Sequence, residues 1–104
     1  MKVLIEGHRY KLENFENKEL EGQSLQFIQK TPITEGSAEL KTVNDGTTNE
    51  EVLKVLIDRM NSMQGKFPCR ENAIVTTHLE TALLWLEKRT ADRKARGVEG
   101  KHTK

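Results

Sequence analysis

The 104-residue sequence predicts an α+β fold: a small N-terminal antiparallel sheet followed by a two-helix antiparallel hairpin with a long C-terminal helix. Three observations predict it. Short runs of alternating polarity bounded by turn residues come first, two stretches with helical spacing of apolar residues follow, and the Gly/Pro-containing loop "QGKFPC" separates those two stretches. Residues 1–46 are accordingly read as a small β-rich region and residues 47–104 as the helical hairpin with a basic tail.

Residues 2–5 read as a short strand, and "HRYKL" as a second whose apolar positions alternate with polar ones. "SLQFIQK" is the clearest strand, with Leu25 and Phe27 on one face and Gln26, Ile28 and Lys30 on the other. "TPITEGSAEL" reads as a connection, because Pro32 lacks the amide that a central strand must donate and Glu35-Gly36 suits a turn. "AELKT" returns as a strand, completing one small twisted sheet.

In "VNDGTTNEEVLKVLIDRMNSM", Asp45-Gly46 marks a turn, and Thr48 precedes Glu51 by three residues, the spacing of a capping box. Val52, Leu53, Leu56, Ile57 and Met60 then recur at helical spacing, so the first helix is predicted over residues 49–62. Gly65 is the expected terminator, and Pro68 disfavours helical geometry at Phe67 while suiting the start of the next helix. The second helix is predicted over residues 69–96, about 40 Å at 1.5 Å per residue, and is closed by Gly97 and Gly100.

Composition bounds the function classes. Only 35% of residues are hydrophobic and 5% aromatic, so a private core would be thin and self-association would enlarge it. The net charge of +1 conceals a gradient: residues 88–104 hold seven Lys or Arg against Asp92 and Glu99, leaving the first 87 residues net acidic by four. A small anion or an acidic partner suits that basic end, whereas a DNA-coating protein would not carry so acidic a remainder. Cys69 stands alone, so neither a disulfide framework nor a thiolate metal site is expected. "MKVLIEG" is too soon interrupted by charge for a signal peptide and no window approaches a membrane span, which makes a cytosolic protein the expectation.

The long helix raises the functional question. At 100° per residue Val75, Leu79, Ala82 and Leu86 share one side, and Arg89, Arg93 and Arg96 continue it. Two readings of that row stand side by side. One is a solvated helix end that complements the dipole and pairs with Glu87 or Asp92. The other is a site for phosphate oxygens, to which a planar five-donor guanidinium is suited. Asn72 lies 17 residues before Arg89, about 25 Å along the axis, so one nucleotide could touch both only if a second antiparallel copy brought its own Arg89 and Arg93 to Asn72. Phe67 reads as a loop anchor that could also meet a ligand, and Trp85 as packing surface or, alternatively, as an aromatic stacking face. His8, His78 and His102 have no ligand-like neighbours, and the chain lacks a phosphate-binding glycine loop, a nucleophile elbow and metal-hydrolase spacing. Neither catalytic residues, nor a metal, nor a cofactor are expected.

The segments "FPCRENA", "LETALLWLEKRTADR" and "RGVEG" closely resemble the phage Thoeris anti-defence sponge family, which shares its helical-hairpin domain with a phage anti-CBASS sponge family. The resemblance implies a non-enzymatic protein that sequesters cyclic ADP-ribose-type immune messengers in the host cell cytoplasm, with cyclic di- or trinucleotides as alternative ligands. It implies an antiparallel homodimeric core with messenger at the interface, and some members of the family assemble from dimers into hexamers. Asn72 matches a base-contacting position, and Arg89 and Arg93 match the basic ligand-binding surface. Arg96, Gly97 and Gly100 match a separate cyclic-oligonucleotide site. An aromatic that the family carries near Ser62 is missing here, which leaves adenine stacking at that point without its usual residue. The reading of a different class is a protein-interaction module whose arginines bind an acidic protein.

Overall fold

The computed structural model describes residues 1–99 and Lys101; Gly100, one of the expected ligand contacts, lies outside the described residues. The chain forms two compact units, residues 1–48 and 49–104.

In the first unit, β1 (Lys2–Ile5), β2 (Arg9–Lys11) and β3 (Ser24–Gln26) make a three-stranded antiparallel sheet in that order. A separate antiparallel pair, β4 (Gln29–Pro32) and β5 (Leu40–Asn44), follows. The stretch "SLQFIQK" is thus two strands and not the single one expected. The break falls at Phe27 and Ile28, where other bonds take the backbone: Phe27 N–H donates to His8 O at 2.7 Å and Ile28 N–H to Thr47 O at 2.9 Å. Gln26 makes the break permanent, since its carbonyl accepts from Thr47 N–H at 2.9 Å while its side-chain amide donates to Phe27 O at 2.7 Å. Gly46 is required here, because a Cβ on it would collide with the Gln26 carbonyl. Pro32 ends β4 opposite Leu40 in a two-stranded pair, where no further strand needs its missing amide.

In the second unit α1 (Asn49–Lys66) and α2 (Arg70–Ala95) pack as a hairpin. α1 carries Glu50 and Glu51 in its first turn, where the helix dipole favours them. It runs four residues past the expected end at residue 62 and contains Gly65, so that glycine is not the terminator. Gln64 explains the actual stop. Its amide clamps the loop, Nε2 donating to Cys69 O at 2.9 Å and Oε1 accepting from Cys69 N–H at 3.0 Å. Cys69, extended at φ −150° and ψ 158°, caps α2 with its sulfur accepting from Asn72 N–H at 3.4 Å.

The two helices pack together, and their covered rows are half-buried Leu53, Ile57, Met60 and Gln64 on α1, and half-buried Asn72, Leu79, Leu83 and Leu86 with buried Thr76 on α2. Among the described residues no hydrophobic side chain is buried; only Thr76, at 9% exposure, and Arg93, at 6%, are. A two-helix layer exposes one flank of each contact row, and this is what leaves the leucines half covered.

Candidate functional site

The row of arginines foreseen on one face divides in three dimensions. Residues 79, 86 and 93 continue the contact row of α2, whereas Val75, Ala82, Arg89 and Arg96 form the neighbouring row, which is exposed. The drift is geometric: steps of seven residues keep a side chain on its own row, and the two rows alternate at spacings of three and four.

On the outer row an open depression of about 620 Å³ covers the last turns of α2. It is lined by Trp85, Lys88, Arg89, Asp92, Arg93 and Arg96. Trp85, 66% exposed, presents its indole four residues before Arg89 and one turn from Lys88. Lys88 is tied to Asp92 at 2.8 Å, an exposed pair that contributes little stability but leaves the local charge positive. The arrangement offers an aromatic face beside several cations, with the Asp92 carboxylate held by Lys88. It suits a ligand that combines a flat base with phosphates.

Arg93 stands apart. Its Nη2 donates to Val98 O at 2.9 Å and Lys101 O at 2.8 Å, and its Nε lies 3.4 Å from Glu99 Oε2. Gly97, at φ 73°, turns the chain back beneath this guanidinium. Gly97 N–H donates to Lys94 O at 3.0 Å and Val98 N–H to Arg93 O at 3.0 Å, the paired bonds of a glycine-type helix end.

Asn72 and Phe67 lie at the other end of α2. Both backbone groups of Asn72 are committed, the N–H to Cys69 Sγ at 3.4 Å and the carbonyl to Thr76 Oγ1 at 2.9 Å. Phe67, 74% exposed, shares a second open depression of about 590 Å³ with Ser62, Arg59 and Lys66. The structure therefore brings Arg89, Arg93 and Arg96 together at one end and Phe67 with Ser62 at the other, and within one chain it joins neither group to the other.

Sequence reasoning left a stacking role open for Trp85 but did not join it or Lys88 to Arg89, nor Arg59 and Lys66 to Phe67. The spacing of Trp85, three residues before Lys88 and four before Arg89, carried the first signal; the second needed the loop geometry. Among the described residues no cluster of His, Cys, Asp or Glu could hold a metal ion, and no helix is long and apolar enough to cross a membrane.

A family model described as Acb2/Tad1, hairpin domain, matches residues 27–91. A relative named Thoeris anti-defense 1, from Bacillus phage SBSphiJ7, is 47% identical over 78 residues, 74% of this chain. The chain spans about half the length of that relative, 51% of it.

Proposed function

Because the chain belongs to the Acb2/Tad1 hairpin-domain family, we propose that it is a phage anti-defence sponge. It binds cyclic ADP-ribose-type immune messengers in the host cell cytoplasm and keeps them from the effectors they would activate, without chemical turnover. The observation that carries this reading is the depression on α2 in which an exposed indole lies beside Lys88, Arg89 and Arg96. Guanidinium forks match pyrophosphate oxygens, and an indole face accepts a base or caps a ribose.

Two chains complete the site. With α2 helices head to tail, Asn72 and Phe67 of one protomer approach the Trp85 and Arg89 end of its partner, so one messenger spans both. The midpoint between Asn72 and Arg89 falls at residues 80–81, next to the small, exposed Ala82, where two helices can approach closely. The lack of any buried hydrophobic side chain among the described residues supports such a pairing, as do exposed Val75 and Ile74 on α2. Arg96 and Gly97, at the turn that ends α2, are the residues this reading gives to cyclic di- or trinucleotides, together with Gly100.

The deciding experiment incubates the protein with each nucleotide, separates the complex, denatures it and analyses what is released. Intact cyclic ADP-ribose isomer in stoichiometric amount is the expected result. A cleaved product would replace the sponge with an enzyme. Preferential retention of cyclic di- or trinucleotides would make those the principal cargo, and no retention at all would leave an acidic protein as the partner.

A further inference from the structure

Arg93 is the most buried cationic residue among those described, at 6% exposure, although it lies on the most basic turn of the helix. A guanidinium is not driven there by apolar burial, since taking a charge out of water costs several kcal/mol unless its donors are satisfied. Here they are satisfied by the chain that follows. Two backbone carbonyls, Val98 O and Lys101 O, accept from the same Nη2, and the Glu99 carboxylate sits against Nε. The contacts join a residue in the last helical turn to three residues of the segment beyond Gly97. The backbone bonds from Gly97, Val98 and Lys101 across the turn are short-range ones, to Lys94, Arg93 and Val98, so the guanidinium contacts add a side-chain tie to them.

We infer that Arg93 is a positioning residue: its guanidinium holds Val98, Glu99 and Lys101 against the end of α2, and thereby sets where Arg96 stands beside Arg89 along the anion-facing row. Arg93 borders the same depression, but the donor directions assigned to Nη2 and Nε point into the turn. Glu99 is part of the device. A carboxylate this close to an anion site would by simple electrostatics weaken the site, so its placement on Arg93 makes sense as a clamp that organises the basic groups around it.

This gives opposite signs for one substitution. If Arg93 were a direct phosphate contact held back by Glu99, then Glu99→Gln would free it, remove a repelling charge and tighten binding. With Arg93 as the clamp, Glu99→Gln loosens the turn and weakens binding.

The inference rests on the proposed nucleotide site, and the test separates the two. Amide hydrogen exchange on the full chain without nucleotide reads the turn alone: Arg93→Ala and Glu99→Gln should each speed exchange at Val98 and Lys101 by about tenfold, with the middle of α2 unchanged. Calorimetry with a cyclic ADP-ribose isomer reads the site: Glu99→Gln should weaken binding several-fold, and Arg93→Lys should fail to restore what Arg93→Ala loses, because an ammonium cannot reproduce the fork. Tighter binding by Glu99→Gln, or unaltered exchange at Val98 and Lys101 in both variants, overturns the positioning role. Failure of the unsubstituted protein to bind overturns the site instead, and leaves the exchange result to decide the clamp. Circular dichroism of each variant guards against loss of fold, and Glu99→Gln, on a residue partly open to solvent, keeps the test available if Arg93→Ala unfolds.

Discussion

Arg89 and Arg93 are four residues apart and chemically identical, yet the structure makes them different things: one is exposed on the outer row and the other is spent on backbone carbonyls. Arg89→Gln should therefore leave helicity and thermal midpoint unchanged while weakening messenger affinity by about tenfold or more, the worth of a charged hydrogen-bonding pair. Calorimetry beside circular dichroism checks it, and unchanged affinity would remove Arg89 from the site. Gly97 is a second residue whose role is conformational. At φ 73° an alanine would be strained, and Gly97→Ala should cost about 1 kcal/mol of stability by urea denaturation. Cys69 occupies a helix N-cap with a weak acceptor at 3.4 Å, so Cys69→Ser, which supplies a better one, should raise stability by about 0.5 kcal/mol. A drop would mean that the thiol has another role in the loop.

At the scale of elements, the loop between α1 and α2 is built around a side chain that periodicity does not flag. Gln64 reaches five residues ahead and satisfies both the N–H and the carbonyl of Cys69, so α1 can extend to Lys66 and still turn sharply. Gln64→Ala removes two hydrogen bonds from an exposed loop and should cost about 1 kcal/mol, seen as a lowered denaturation midpoint with an unchanged slope. The strands tell a related story. "SLQFIQK" has the alternation of one strand, but Gly46 lets the later chain approach so closely that Thr47 takes the backbone partners that a continuous strand would have used. Long helices with repeated apolar spacing were legible because their bonds are local; the strand break was not, because the competing partner lies about twenty residues away in sequence.

For the whole molecule, the decisive property is that the chain does not cover its own apolar surface. Leu84, Val55, Ile74 and Val75 remain exposed, and no hydrophobic residue is buried among those described. Such a surface is expected to close by pairing of identical chains along α2. Ala82→Glu tests this directly: the site is exposed within one chain, so folding should survive, but a carboxylate forced into the crossing would lower the mass in solution from twice the chain mass toward one chain. Messenger capture should fall with it, because Asn72 and Arg89 lie at opposite ends of one helix. Unaltered mass and affinity would exclude the head-to-tail pairing through this face. Assembly beyond the dimer is read from the same mass measurement on the unsubstituted chain.

Local chemistry sufficed for much of this protein. The order of sheet and hairpin, the start of α1, the length of α2 and the basic character of its end all follow from side-chain spacing and composition, which act over one or two turns. Candidate residues Asn72, Phe67, Arg89, Arg93 and Arg96 could be named for the same reason. What spacing could not assign was which of the arginines faces outward, that Trp85 and Lys88 stand beside them, and that Arg93 turns inward to bind the segment after Gly97. Those outcomes depend on a choice between adjacent helical rows and on a reversal of the chain, and both are decided by contacts between residues that only the folded backbone brings together.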